Sequence, residues 1–373
     1  MTRKDLSSYI SQLELYNFRN HQNLEIKLDG QFILVLGENG SGKTNILEAI
    51  SLLNASKGIR NSKNSDIITN FNRQNAEWAV KVNYSNQNLD YNLLVGCKFN
   101  HTNSNGRKLI RVNGNELIKK TDISNLLKIV WLTPQMENLF LESPGVRRKF
   151  LDRMTYNFFS NHAEYLLKYE YFTQSRTKIL YDIDWDNKWL EQIEMNIAEL
   201  SLKIIDNRLE CIKIINSVLE SLTINYLKPI ITTYGEIEEQ LKKENPAKVY
   251  EYILDNLRKK RNIDSKSKRC SIGSHKSDLL VSDRDKGRVA TLCSTGEQKS
   301  MIISMMLGQA YAIYDKSKIA PILLLDEVFA HLDDKRKENL IFELEKTPSQ
   351  ICISSTNIAL NKMIKTTYTQ FIL

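Results

Sequence analysis

Apolar and polar positions follow two rhythms along this chain. In the first third the period is two. Val80, Val82 and Tyr84 alternate with polar residues, and strands are also predicted at Leu13 to Tyr16 and Leu24 to Leu28. Asn105-Gly106 and Asn113-Gly114 are hairpin signals, so an antiparallel sheet is expected beside a parallel one. Phe32 to Leu36 and Ile322 to Leu325 are apolar throughout, as in parallel strands covered on both faces. From about Val146 to Arg261 the period lengthens. Leu190, Ile193, Ile197, Leu200 and Ile204 step by three and four, and Ile205, Leu209 and Ile212 continue on a slightly rotated stripe. A long helix is predicted there. Another precedes it over Tyr165 to Leu180, with a turn at Asp182-Ile183-Asp184-Trp185-Asp186. A third covers Ala247 to Lys260, with Pro246 at its first position. These stripes read as core, and the helical stretch is too short for a long coiled coil. The fold class is α/β, with three sections: 1–145, a helical insertion over 146–265, and 266–373. After Arg269 strand and helix alternate again, and no internal repeat stands out.

The first candidate chemistry sits just after the Phe32 strand. Gly37-Glu38-Asn39-Gly40-Ser41-Gly42-Lys43-Thr44 fits the phosphate-loop pattern, and Ile46, Leu47, Ile50 and Leu53 behind it form one helical face. Glycines let the backbone turn tightly, so that successive N–H groups point at phosphate oxygens, and the helix adds its positive end. Lys43 is expected to reach the β- and γ-phosphates of ATP, and the Thr44 hydroxyl to hold Mg²⁺.

A second fragment lies at the far end of the chain. Pro321-Ile322-Leu323-Leu324-Leu325-Asp326-Glu327 reads as a buried strand delivering two carboxylates to its C-terminal end. Asp326 is expected to bind the Mg²⁺ directly or through its water, and Glu327 to polarise the attacking water. Neither fragment binds and cleaves a nucleotide alone, so the intervening chain must leave the site and return. Ser294-Thr295-Gly296-Glu297-Gln298-Lys299 opens another helix and offers a second anion cradle. One nucleotide has no use for two cradles, so this one is assigned to a partner subunit's ATP. An ordinary capped helix, with Ser294 and Glu297 as a capping box, is the alternative. Gln135 follows the apolar stretch Ile129 to Leu132 and is read as a Mg²⁺ or water sensor, or else as a plain loop residue.

Composition changes this picture little. Hydrophobic residues make up 42% and charged residues 26%, as in an ordinary soluble chain, and no apolar run approaches a membrane span. The start Met1-Thr2-Arg3-Lys4-Asp5 lacks a secretory apolar core, and the five scattered cysteines lack metal-ligand spacing; reduced cytoplasmic thiols are expected. Charge is more informative. The chain has 52 basic and 44 acidic residues, net +8, which permits nucleic-acid binding without demanding it. Arg258-Lys259-Lys260-Arg261 opens a basic segment that continues through Lys266, Lys268, Arg269 and Lys276, and Lys57, Arg60 and Lys63 follow the first helix. These are the candidate DNA contacts, suited to phosphates rather than to base sequence; a solvated basic loop is the alternative for Arg258 to Arg261.

Taken in order, the motifs resemble the ATP-binding-cassette ATPases of the SMC and RecF type, and more narrowly the RecF family. The resemblance rests on Leu13-Glu14-Leu15-Tyr16-Asn17-Phe18-Arg19-Asn20, the phosphate loop and Arg111-Val112-Asn113-Gly114. It continues through Pro144 to Arg153, with Arg147-Arg148-Lys149-Phe150-Leu151-Asp152, then Gly273-Ser274-His275-Lys276-Ser277-Asp278-Leu279, the Ser294 cradle and Ile353-Ser354-Ser355-Thr356-Asn357. Two departures stand out. The family pattern reads Gly-Pro-His-Arg-Asp-Asp around His275, and it ends its acidic strand Asp-Asp where this chain has Asp326-Glu327.

The resemblance implies a cassette-type ATPase lobe, with a mixed sheet and an antiparallel subdomain, interrupted by a mainly helical second lobe. It further implies a weak DNA-dependent ATPase that dimerises on ATP, clamps gapped or duplex DNA, and releases it on hydrolysis. RecR, RecO and RecA are the implied partners, and no membrane is. An SMC-like or OLD-like ATPase with a structural or defence role on DNA is the alternative. The short insertion argues against the first, and the absence of an appended nuclease-like domain against the second. A transporter ATPase subunit is disfavoured by the split motifs.

Overall fold

The computed structural model describes residues 6–54, 58–69, 76–100, 103–117, 121–181, 186–330 and 332–373. The chain opens with β1 (Ser8–Phe18), β2 (His21–Lys27), β3 (Phe32–Leu36) and α1 (Lys43–Ser51). Then come β4 (Glu77–Asn86), β5 (Leu89–Asn100), β6 (Asn103–Val112), β7 (Asn115–Glu116), α2 (Thr121–Leu126) and β8 (Ile129–Leu132). Helices α3 (Pro144–Tyr156), α4 (His162–Ile179) and α5 (Asn187–Ser221) lead to β9 (Pro229–Tyr234), α6 (Glu236–Leu241), α7 (Pro246–Lys259) and α8 (Arg261–Ser267). The last elements are β10 (Asp278–Asp283), α9 (Thr295–Ser317), β11 (Ile322–Asp326), α10 (Asp334–Glu345), β12 (Ile351–Ser355) and β13 (Tyr368–Ile372).

Two units emerge. The first takes in residues up to Glu137, Leu222–Tyr226 and Ile302–Leu373; the second takes in Asn138–Ser221 and Leu227–Met301. Residues 266–301 therefore group with the helical unit, past the boundary drawn at 265 from sequence. The reason is pairing: β10 runs antiparallel to β9, Leu279 opposite Thr233 and Val281 opposite Ile231. Apolar periodicity cannot reveal such a long-range partner.

In the first unit the parallel sheet has the order β13-β3-β12-β11-β8, and the antiparallel sheet β2-β1-β4-β5-β6-β7. Register in the parallel sheet sets Leu36 beside Ser355 and Asp326 beside Ser354, so the C-terminal ends of β3, β12 and β11 share one edge. One core joins both sheets to α1: Leu13 and Phe18 pack with Val35, Ile46, Leu47, Ile50 and Trp78. The Asn113-Gly114 signal makes the turn between β6 and β7, with φ of 51° and 85° as a type I′ hairpin needs. Asn105-Gly106 does not make a turn. It lies within β6 at a register shift opposite Lys98 to Asn100, and Gly106 has φ 61° there, with Cys97 and Phe99 where a Cβ would stand. A bulge uses the same glycine chemistry as a turn.

In the second unit α4 and α5 run antiparallel, His162 meeting Asn207 and Arg176 meeting Glu194. Leu190, Ile193, Ile197, Leu200, Ile204 and Ile205 are buried as the stripe predicts. Leu209 is 37% exposed instead, because Cys211, Ile212, Ile215 and Leu219 carry the buried face onward along the 35-residue helix. Most of the predicted Asp182 to Asp186 turn lies outside the described residues; Asp186 accepts from the N–H groups of Lys188 and Trp189 and caps α5. Pro246 takes the first turn of α7, with Asn245 as its cap.

Buried charge also ties this unit together. Arg176, fully buried, donates to Glu194 at 3.0 Å, to Asp264 at 2.6 Å and to the Leu257 carbonyl at 2.7 Å. Arg176→Met should cost about 3–5 kcal/mol, because it strands buried carboxylates rather than removing a complete pair. An unaltered urea midpoint would show that the cluster is electrostatically neutral in its effect.

Candidate nucleotide-binding site

The phosphate loop joins β3, buried along its whole length, to α1. Gly42 caps α1 with φ 107°, and a Cβ there would stand 2.5 Å from the Asn20 side chain. Asn20 in turn holds the loop: its amide donates to the Ser41 carbonyl at 3.0 Å, and it accepts from Asn45 at 2.6 Å. Around Gly40 there is open space, and the buried Ser41 hydroxyl has no hydrogen-bond partner among the described residues. An orphaned hydroxyl and an open glycine backbone fit an anion that the loop is shaped to receive. Lys43 is only 5% exposed; its ammonium donates to the Gly37 and Glu38 carbonyls at 3.0 and 2.8 Å and lies 3.3 Å from the Glu327 carboxylate.

The two distant fragments meet here. Thr44 Oγ1 donates to Asp326 Oδ1 at 2.8 Å, across 282 residues of chain. Ser354, at the neighbouring position of β12, donates its hydroxyl to the same oxygen at 2.6 Å. Two hydroxyls thus converge on one carboxylate oxygen, and that oxygen sits where Thr44 would hold a cation. Glu327 leaves the strand with φ 51°, unusual for a side chain of this size, and its N–H donates to the Ser354 hydroxyl at 3.1 Å. That turn aims the carboxylate at Lys43. Gln135 is exposed just past β8, which pairs directly with β11, so it emerges beside the strand that carries Asp326.

One buried acid was not singled out by its sequence. Glu48, on the apolar face of α1, takes a two-pronged contact from Arg19 at 2.9 and 2.7 Å and another from Arg60 at 3.2 Å. An acid between Leu47 and Ala49, on a helix that must bury that face, was the available signal. Arg60 also donates to Asn45 at 2.6 Å, so this candidate DNA contact braces the base of the loop while staying exposed. Lys63 is exposed; Lys57 lies outside the described residues.

In the second unit Ser294 and Glu297 form the capping box. Ser294 N–H donates to Glu297 Oε2 at 2.9 Å, and Glu297 N–H to Ser294 Oγ at 3.3 Å. The Ser294 N–H, aided by Lys286 at 3.1 Å and by Arg288, holds the Glu297 carboxyl down to about 2. Ser294 and Thr295 are exposed and Gly296 half-buried, while Gln298 is buried and donates to the Cys293 carbonyl. Of the basic segment, Arg258 and Lys259 are exposed and Lys260 is half-buried. Arg261 turns inward and pairs with the buried Glu194 at 2.6 Å, so its charge is spent on the core.

A family model described as the RecF/RecN/SMC N terminal domain matches residues 9–371. The DNA replication and repair protein RecF of Rickettsia typhi is 39% identical over 350 residues, spanning 94% of this chain and 95% of the relative. That of Rickettsia prowazekii is 39% identical over 351 residues with the same coverage. The chain belongs to the RecF family of DNA replication and repair proteins. Its fold agrees. A solved structure described as the recombination mediator protein RecF–ATPrS in the RecFOR pathway superposes with a TM-score of 0.86, covering 98% of this chain and 96% of that one at 24% identity. The SMC-like or OLD-like alternative is not favoured. No helix among the described residues is long and apolar enough to cross a membrane, and no group of three or more His, Cys, Asp or Glu among them could hold a metal ion.

The two motif blocks that carried the RecF resemblance prove to hold each other. Arg147 forks onto Asp278 at 2.8 and 2.6 Å, and Arg148 donates to the Ser277 carbonyl at 2.7 Å. Asp152 receives Arg208 at 2.8 and 3.0 Å, and Arg208 also donates to the Ser274 carbonyl. His275 is held between the Tyr169 hydroxyl and the Cys270 carbonyl, and burial lowers its pKa from the ordinary value. Lys276, where the RecF pattern has Arg, is exposed beside this network.

Proposed function

We propose that this RecF-family protein binds ATP with Mg²⁺ at residues 37–44 and works as an ATP-gated DNA clamp. The observation that carries the reading is the Thr44–Asp326 hydrogen bond of 2.8 Å, which unites the two halves of one catalytic site. Lys43 would exchange the loop carbonyls for the β- and γ-phosphates, and the backbone of Gly37 to Gly42 would cradle them. Thr44 and Asp326, with Gln135 nearby, would hold the Mg²⁺. Bound Mg-ATP supplies the phosphoryl group that is transferred to water, and Glu327 would accept that water's proton. Ser294 to Gln298 would complete a partner subunit's site, so that two chains close on DNA only when both are loaded. The exposed Lys63, Arg258 and Lys259 would meet DNA phosphates. The ATPase would be weak and DNA-dependent, the setting cytoplasmic, and RecR, RecO and RecA the partners in loading recombinase at gaps.

Light scattering with and without Mg-ATP and a gapped duplex tests the clamp. An ATP-dependent dimer that retains DNA is expected. A chain that stays monomeric throughout would mean that the Ser294 cradle does not serve a partner, and the clamp would have to be abandoned.

A further inference from the structure

One end of the helical unit brings exposed aromatic rings and exposed cations together. Tyr181 follows α4 and Trp189 lies in the first turn of α5; they are 66% and 59% exposed. The contacts that bring α7 and α8 to the same end are specific. Arg176, near the end of α4, donates to the Leu257 carbonyl at 2.7 Å, which sets the last turn of α7, with Arg258, Lys259 and Lys260, beside that end. Ser265 on α8 donates to the Leu180 carbonyl at 2.6 Å, and Arg261 reaches Asn187 at 3.2 Å. Lys268, in the left-handed conformation just past α8, places its ammonium 4.7 Å from the centre of the Tyr181 ring. Two of the described acids at this end do little to cancel this charge. Asp186 is turned onto the N–H groups of α5, and the exposed Asp255–Lys259 pair is of the kind that contributes little.

Duplex phosphates require only cations, and stacked bases offer nothing to an exposed ring. Rings beside cations suit a strand whose bases are free to stack while its phosphates are neutralised. We infer that the end of the helical unit formed by Tyr181, Trp189, Lys268 and the last turn of α7 is a binding platform for single-stranded DNA. It would let the protein register the unpaired strand separately from the duplex. The inference rests on the DNA-binding part of the proposed function and adds a strand type and a place.

Fluorescence anisotropy of the full chain decides it, using a fluorescein-labelled oligothymidylate of about 20 nucleotides and a hairpin duplex. Tyr181→Ala/Trp189→Ala should weaken single-strand binding by about tenfold or more, since each stacked base contributes substantially, and should leave duplex binding as it was. Tyr181→Phe/Trp189→Phe should restore it. Lys259→Glu/Lys260→Glu should weaken single-strand binding and flatten its salt dependence, a readout that the alanine pair does not share. Equal single-strand affinity in the wild type and the alanine pair overturns the platform while leaving the DNA clamp standing. So does a wild type that binds duplex alone, which would make the aromatic end a protein contact. A wild type that binds neither DNA overturns the DNA-binding reading itself, and the platform with it.

Discussion

Glu327→Gln should keep ATP binding and lower turnover by about 10²–10⁴-fold, the range expected when a positioned proton acceptor is lost. The amide matches the carboxylate in shape, so the turn at φ 51° and the N–H contacts to Ser354 survive. What disappears is the charge 3.3 Å from Lys43 and the capacity to take a proton from water. Lys43 keeps its two loop carbonyls when the ion pair is lost, so the loop should stay folded. With hydrolysis slowed and binding intact, the ATP-dependent dimer should persist far longer on DNA. Single-turnover kinetics and dimer lifetime measured on one preparation separate these effects. Turnover equal to wild type would remove Glu327 from the mechanism, and another acceptor would have to be sought near Gln135.

The second large effect lies at Lys43. Its ammonium is held by two loop carbonyls and by Glu327, in a pocket that leaves it almost no water. Lys43→Met fills similar volume but carries no charge. Loss of charge-assisted hydrogen bonds to phosphate should weaken ATP binding by roughly ten- to a hundredfold. Turnover should fall by a further 10²–10³-fold or so, because the same donors stabilise the charge that develops in transfer. The ATP-dependent dimer should disappear with the nucleotide. Isothermal titration with a non-hydrolysable ATP analogue gives the first effect and phosphate release the second. Tight analogue binding by Lys43→Met would show that the loop backbone alone holds the nucleotide and would confine Lys43 to catalysis.

These two residues were identifiable from the chain alone because their surroundings are local. A buried strand, three glycines, Lys-Thr and a helix face occur within about twenty consecutive residues, and each dictates the backbone of the next. The acidic strand was likewise legible, since a fully apolar run ending in two carboxylates has few other uses. The partnership between the fragments was not. It depends on β3, β12 and β11 lying side by side in register, and Ser354, which orders both Asp326 and Glu327, sits on a third strand. Glu48 escaped notice for the same reason: its partners Arg19 and Arg60 come from flanking segments that periodicity treats as unrelated.

Charge was the least legible feature. Arg60 and Arg261 look, in sequence, like their neighbours Lys63 and Arg258. The fold pairs the first two with the buried carboxylates of Glu48 and Glu194, drawing Arg261 inward while Arg60 keeps an exposed face, and leaves the others in water. Leu209 erred in the opposite direction, because a helix of 35 residues slowly rotates its buried face. By itself, the sequence determined the element types, the phosphate-loop motif and the family, since these follow from periodicity and short contiguous motifs. Only the tertiary structure decided which distant groups share a carboxylate, which cations are free, and where residues 266–301 belong. Those are outcomes of packing and desolvation, and they exist only once remote segments are brought within a few ångströms of one another.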